Sequence, residues 1–138
     1  MDDVNRRSAL ALGISAGSAV VMTGQAAAQP FWPTIQGREI APGVRVMQHG
    51  KGDSMIPGYK SISMQDLLYQ PKATSSIIQP NDRICHCPDG QLRVKQSNGH
   101  EFTAKAGDVW SCNKGLGEIV ENIGGGVAIL RVIDLWPA

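Results

Sequence analysis

Three groups of residues in this chain could do chemistry. Glu118 stands in the run GDVWSCNKGLGEIVEN (107–122), between glycine turns. A carboxyl group held in an apolar cavity acts as a general base when burial raises its pKa. Cys85-His86-Cys87 and Cys112 form a second group. Thiolates and an imidazole are ligand types for soft or borderline metal ions, although C-x-C is not a standard zinc spacing. Asp82 and Arg83 precede the first cysteine and form a third, charged group.

These residues are positioned by short strands and turns. Ala106-Gly107-Asp108 reads as a tight turn, followed by strands over 109–112 and 117–122. Gly124-Gly125-Gly126 turns the chain into a long apolar strand over 127–135. Further back, Pro42-Gly43 precedes a strand reaching residue 48, and 49–53 reads as a loop around His49. The segment 60–67 alternates Ile62 and Met64 with polar neighbours, as a half-buried strand does. More strands fall over 73–79, 83–87, 91–96 and 100–105, the last two joined by Asn98-Gly99, a hairpin signal. His100 beside that turn reads as a solvated residue. Short strands at this spacing predict an all-β sandwich or barrel, roughly nine strands with no helix.

The chain has 138 residues, 16 glycines, 8 prolines and a formal charge of +1. That length predicts one domain. No basic patch calls for nucleic acid. Residues 1–28 carry Arg6-Arg7, then a small-residue apolar run, then Ala26-Ala27-Ala28, the order of a secretory signal. Arg6, Arg7 and Leu10 resemble a bacterial twin-arginine signal. The run is too short for a confident membrane span. The expectation is a periplasmic or secreted protein with no stable span after processing. Residues 29–59 form an arm with Phe31-Trp32 and the first strands; the arm suggests packing across a barrel end, a lid, or a homodimer contact. Residues 60–138 form the barrel domain.

The residues from about 60 to 135 resemble the cupin family. Its second motif, G-x5-P-x-G-x2-H-x3-N, is matched in spacing by Gly107, Asn113, Gly115, Glu118 and Asn122. Asn113 stands at the proline position and Glu118 at that of a metal-binding histidine. The first motif is degenerate. Its closing glycine corresponds to Gly90 and its opening to Pro71-Lys72, with lysine where the family has glycine. Its glutamate position falls at Asp82 or Arg83. Its two histidine positions fall within 76–80, where no His, Asp, Glu or Cys occurs.

The resemblance implies a single cupin-type jelly-roll barrel. It also implies a divalent transition metal on three histidines and a carboxylate, a set this chain lacks at the matching positions. Two readings follow. The first is an exported small-molecule-binding barrel with no metal, its pocket drawn from Arg83, Cys85, Trp110 and Glu118, with Glu118 the catalytic candidate. The second is a metal-dependent oxygenase or isomerase holding Fe, Mn, Zn or Ni on Asp82, His86 and Glu118. A structural, dimer-forming accessory protein is a third. Strand alternation decides the facing of 82–87: Asp82 inward brings Ile84 and His86 inward, and Arg83 inward brings Cys85 and Cys87. In a cupin barrel Cys112 is expected near Cys85 or Cys87. A disulfide to either, a soft-metal site of Cys85, Cys87, Cys112 and His86, and buried thiols all remain open. Trp110 shares the parity of Cys112 and is a core ring or a ligand-stacking one. Glu118 could also hydrogen-bond Lys114 or Arg83.

Overall fold

A computed structural model describes residues 37–138. The segment expected to be an export signal and the Phe31-Trp32 arm lie outside the described residues. Ten strands follow one another: β1 (Arg38–Ala41), β2 (Val44–Asp53), β3 (Tyr59–Tyr69), β4 (Thr74–Ile78), β5 (Asp82–Asp89), β6 (Gln91–Gln96), β7 (Glu101–Lys105), β8 (Val109–Cys112), β9 (Gly117–Asn122) and β10 (Ala128–Pro137). Among the described residues no helix is long and apolar enough to cross a membrane.

All strand pairs are antiparallel. One sheet has the order β1-β2-β3-β10-β5-β8 and the other β4-β9-β6-β7. Each strand turns alternate residues to a common core. From the first sheet come Val44, Val46, Leu67, Tyr69, Leu130 and Val132, and from the second Leu92, Val94 and Val120. The result is a jelly-roll barrel filled by side chains. Strands before residue 60 belong to it, because β2 pairs with β3 along its whole length.

The stretch 49–53 is strand rather than loop. A bulge between Gln48 and Gly50 shifts the register, and pairing continues to Asp53 opposite Ser61. Such a bulge re-aims a side chain. His49 Nε2 comes to lie 2.9 Å from Asp66 Oδ2.

Backbone demands explain several motif residues. Gly90 has φ +91°, and a Cβ there would sit 2.6 Å from that of Ala128. Only glycine fits at that crossing. Lys72 is the described non-glycine residue with positive φ, at 72°. It takes the left-handed turn where the resemblance places glycine. Asn122 closes its motif as a clamp. Its Nδ2 donates to the carbonyls of Tyr69 and Gly126 at 2.9 and 2.8 Å, and its Oδ1 accepts from Gly124 N–H at 2.9 Å.

Two ionic contacts generate predictions. Arg83 donates to Asp134 Oδ1 from Nε at 2.8 Å and from a terminal nitrogen at 2.7 Å, with both side chains buried. Removing one partner of a buried pair strands the other. Asp134→Ala is expected to cost about 3–5 kcal/mol in urea unfolding, while Arg83→Met with Asp134→Leu stays near the parent stability. Parent-like stability of the single variant would show that the pair is not what holds these strands.

Asp66 is the second. Burial pushes its carboxyl up, but hydrogen bonds from Arg131 and His49 outweigh this and hold it below the ordinary value. A depressed carboxyl contributes stability that is full above its unfolded pKa, near 4, and lost as pH falls through the lower folded value. Melting temperature should therefore drop below about pH 4, and less steeply in Asp66→Asn. Equal acid slopes for the two proteins would contradict this.

Candidate functional site: a buried carboxyl and two thiols

The facing of β5 is decided by its burial. Arg83, Cys85 and Cys87 point into the barrel, at 7%, 0% and 0% exposure. Asp82, Ile84 and His86 alternate with them on the outer face. Asp82 is held by the Tyr59 hydroxyl at 2.6 Å and the Lys114 N–H at 2.8 Å. His86 Nδ1–H donates to the carbonyl of Asp108 at 3.0 Å. The set Asp82, His86 and Glu118 therefore does not converge, because period-two alternation puts Glu118 on the other side of the wall.

Glu118 is 3% exposed and faces inward from β9. Its Oε2 accepts from Gln96 Nε2 at 3.0 Å, Cys112 Sγ at 3.1 Å and Trp110 Nε1 at 3.2 Å. Its Oε1 accepts a long bond from Gln79 Nε2 at 3.4 Å. Of the partners suggested by the sequence, Arg83 is engaged with Asp134 instead, and Lys114 bonds Asp82 through its backbone N–H. Gln79 is 1% exposed, and its Oε1 is buried with no hydrogen-bond partner.

The register explains this convergence. Arg83 pairs with Cys112 and Cys85 with Trp110 across β5 and β8. Gln96 pairs with Glu118 across β6 and β9. One end of the barrel thus collects side chains from both sheets. Ligand atoms of Cys85, Cys112 and Glu118 all lie within 4.8 Å of one another. The hydrogen bond to Cys112 and then burial raise the Cys85 pKa, so it is a thiol at neutral pH.

The three cysteines are free thiols. Cys87 lies about four residues along the sheet from Cys112, roughly 13 Å by strand rise. Its sulfur turns to the carbonyls of Asp89 and Gly90. A Cys87–Cys112 bridge is excluded by that separation. Cys85 and Cys112 are diagonal neighbours, about 7–8 Å apart at Cα. Their sulfurs lie within 4.8 Å of one another. The four-ligand soft-metal set loses Cys87 and His86 for the same geometric reasons.

The histidine-rich metal set implied by the resemblance does not fit these residues. His49 meets Asp66, His86 faces outward, and His100 stacks on Phe102 at 5.0 Å. No histidine reaches Glu118 among the described residues.

A groove of 490 Å³ runs beside this end of the barrel, lined by Gln96, His100, Phe102, Asp108, Trp110 and their neighbours. Of the four pocket residues expected from the sequence, Trp110 lines it; Arg83, Cys85 and Glu118 lie behind. Phe102 and Trp110 meet edge to face at 5.4 Å. Gln96 and Trp110 line the groove and also bond Glu118.

Sequence reasoning missed Gln79, Gln96, Asn81 and Asp134. Parity carried signals for two of them. Gln96 follows Leu92 and Val94 on the inward register of β6, and Asp134 follows Leu130 and Val132 on that of β10.

No known family model matches this sequence, and no curated protein matches it. Solved structures do. The cupin domain of Schizosaccharomyces pombe Cnp3 is 14% identical over 75% of this chain and 70% of that one, with a TM-score of 0.57. KdgF from Halomonas sp. is 10% identical over 75% and 89%, also at 0.57. An oxalate oxidase is 19% identical over 76% of this chain and 58% of its own, again at 0.57. These neighbours differ in function, and what they share with this chain is its fold: a single cupin-type jelly-roll barrel.

Proposed function

We propose that this protein is an exported small-molecule-binding barrel whose ligand enters the groove in front of Glu118. The observation that supports this is the double role of Trp110 and Gln96, which line the groove and hydrogen-bond the buried carboxyl. The groove volume lies within the roughly 300–1,000 Å³ of small-molecule sites. Its aromatic wall and its amide and carboxylate groups suit a small organic molecule with one flat apolar face and several hydrogen-bonding groups. Glu118 has its oxygens engaged by four donors. In this reading it fixes Trp110 and Gln96 in the wall of the groove.

Export rests on Arg6-Arg7, the apolar run and Ala26-Ala27-Ala28. A metal-dependent barrel is the second reading. It is favoured by the convergence of Cys85, Cys112 and Glu118.

The groove is tested with metal-free protein and a panel of small polar metabolites, followed by Trp110 fluorescence and side-chain resonances. A binder should perturb Trp110 and Phe102, and Trp110→Ala should weaken it at least about tenfold, or ~1.4 kcal/mol. Binders that leave both rings unmoved would place the ligand elsewhere. Expressed in a bacterium, the protein is expected in the periplasm or medium, beginning at Gln29. Recovery from the cytoplasm with Arg6-Arg7 intact would refute export.

A further inference from the structure

The end of the barrel where a histidine-rich centre would be expected carries a different donor set. We propose that Cys85, Cys112 and Glu118 form a binding site for a thiophilic divalent ion of the Zn²⁺ or Cd²⁺ class, with Gln79 Oε1 closing the coordination.

Two observations converge on it. Three donor atoms, from two sulfurs and a carboxyl, lie within 4.8 Å of one another and all are buried. Around a tetrahedral ion with bonds near 2.3 Å to sulfur and 2.0–2.2 Å to oxygen, ligand atoms sit roughly 3.5–3.8 Å apart. Closing to that spacing takes about 1 Å, within reach of side-chain rotation. Cys112 Sγ already lies 3.1 Å from Glu118 Oε2. The second observation is Gln79. Its Oε1 is a buried acceptor without a partner, and its amide touches Glu118 through a bond of 3.4 Å. A half turn of that amide brings the oxygen toward the cluster. Buried acceptors left without a partner are uncommon, and a cation supplies one.

The donor chemistry selects the ion. Two thiolates and one carboxylate favour zinc-like and softer ions over Mg²⁺, Ca²⁺ or Mn²⁺, which prefer all-oxygen sites. Binding replaces the thiol protons by the ion. The Cys85 and Cys112 protons leave to solvent, and two S–metal bonds form with no change of oxidation state. Trp110 and Gln96 form the layer between the cluster and the groove. They bond Glu118 and orient it as outer partners orient a metal ligand. The site does not rest on the groove reading, since metal uptake without any organic ligand, or the reverse, separates the two.

The test uses the full chain, reduced with a phosphine, freed of metal by chelation and titrated with Zn²⁺ and Cd²⁺. Expected are one ion per chain, release of about two protons per ion, cadmium–thiolate ultraviolet absorption and a raised melting temperature. Cys85→Ser and Cys112→Ser should each weaken binding beyond the about 10–100-fold that losing an outer partner costs. Glu118→Gln should weaken it while keeping the thiolate absorption, and Cys87→Ser should leave affinity unchanged. The parent protein's cadmium absorption decides the matter even if a variant fails to fold. Absence of that band in the reduced parent overturns the proposal. So does stoichiometric binding that survives in the Cys85→Ser, Cys112→Ser double variant, or equal loss in Cys87→Ser.

Discussion

A carboxyl group enclosed in a packed barrel must be surrounded by donors, and the Glu118 end of this molecule is built to meet that requirement. Taking such a group out of water without hydrogen bonds is expensive. Four side chains from three segments answer it: Gln79 after β4, Gln96 on β6, Trp110 and Cys112 on β8. Each is itself polar or amphipathic at an inward position. The carboxyl on one sheet therefore dictates what the facing sheet carries. It also ties β8, an edge strand of one sheet, to β9 within the other.

The barrel is accordingly divided along its length. Val44, Tyr69, Leu92, Val94 and Ala128 fill one end with apolar side chains at 0% exposure. The other end stacks two polar layers. One is Glu118 with its donors and the thiols. The next is Arg83, Asp134 and Asn81, where Asp134 Oδ1 accepts from Asn81 Nδ2 at 2.9 Å as well as from the guanidinium. Arg83 separates Asp134 from the Glu118 layer, and its positive charge acts on Cys85 against the effect of burial. On Cys87, farther along β5, burial is the largest influence, opposed by the Asp89 backbone hydrogen bond and reinforced by the charges of Asp89 and Asp108. There the thiol is pushed up to about 11.

Much of this was legible in the amino-acid order. Glycine turns and alternating apolar residues gave the strands of the second half almost residue for residue, because 91–96, 109–112 and 117–122 are bounded by glycine or turn residues whose backbone preferences are local. The strand over 49–53 was not legible. His49-Gly50-Lys51-Gly52-Asp53 has loop composition, and only pairing with β3 holds it extended. The facing of β5 was equally closed to inspection, since Asp82, Arg83, Cys85 and His86 put polar or reactive residues on both parities. Its answer lies on other strands, where Asp134 waits for Arg83 and Glu118 for Cys112. The partners of Glu118 are separated from it by 6 to 39 residues. Such meetings are properties of register, which no single segment encodes.

The position of β10 carries a consequence for how the molecule comes into being. This strand lies between β3 and β5 and supplies the neighbour that each of them needs. Yet it follows all nine others in chain order. Until it is synthesised, β1-β2-β3 and β5-β8 are separate ribbons with open edges, and Arg83 has no counter-ion. Strands joined across such sequence distances close slowly, and unpaired edges invite association with other chains. The nascent protein is thus committed to completing its larger sheet after β10 is made, and it is most exposed to misassembly just before that strand arrives.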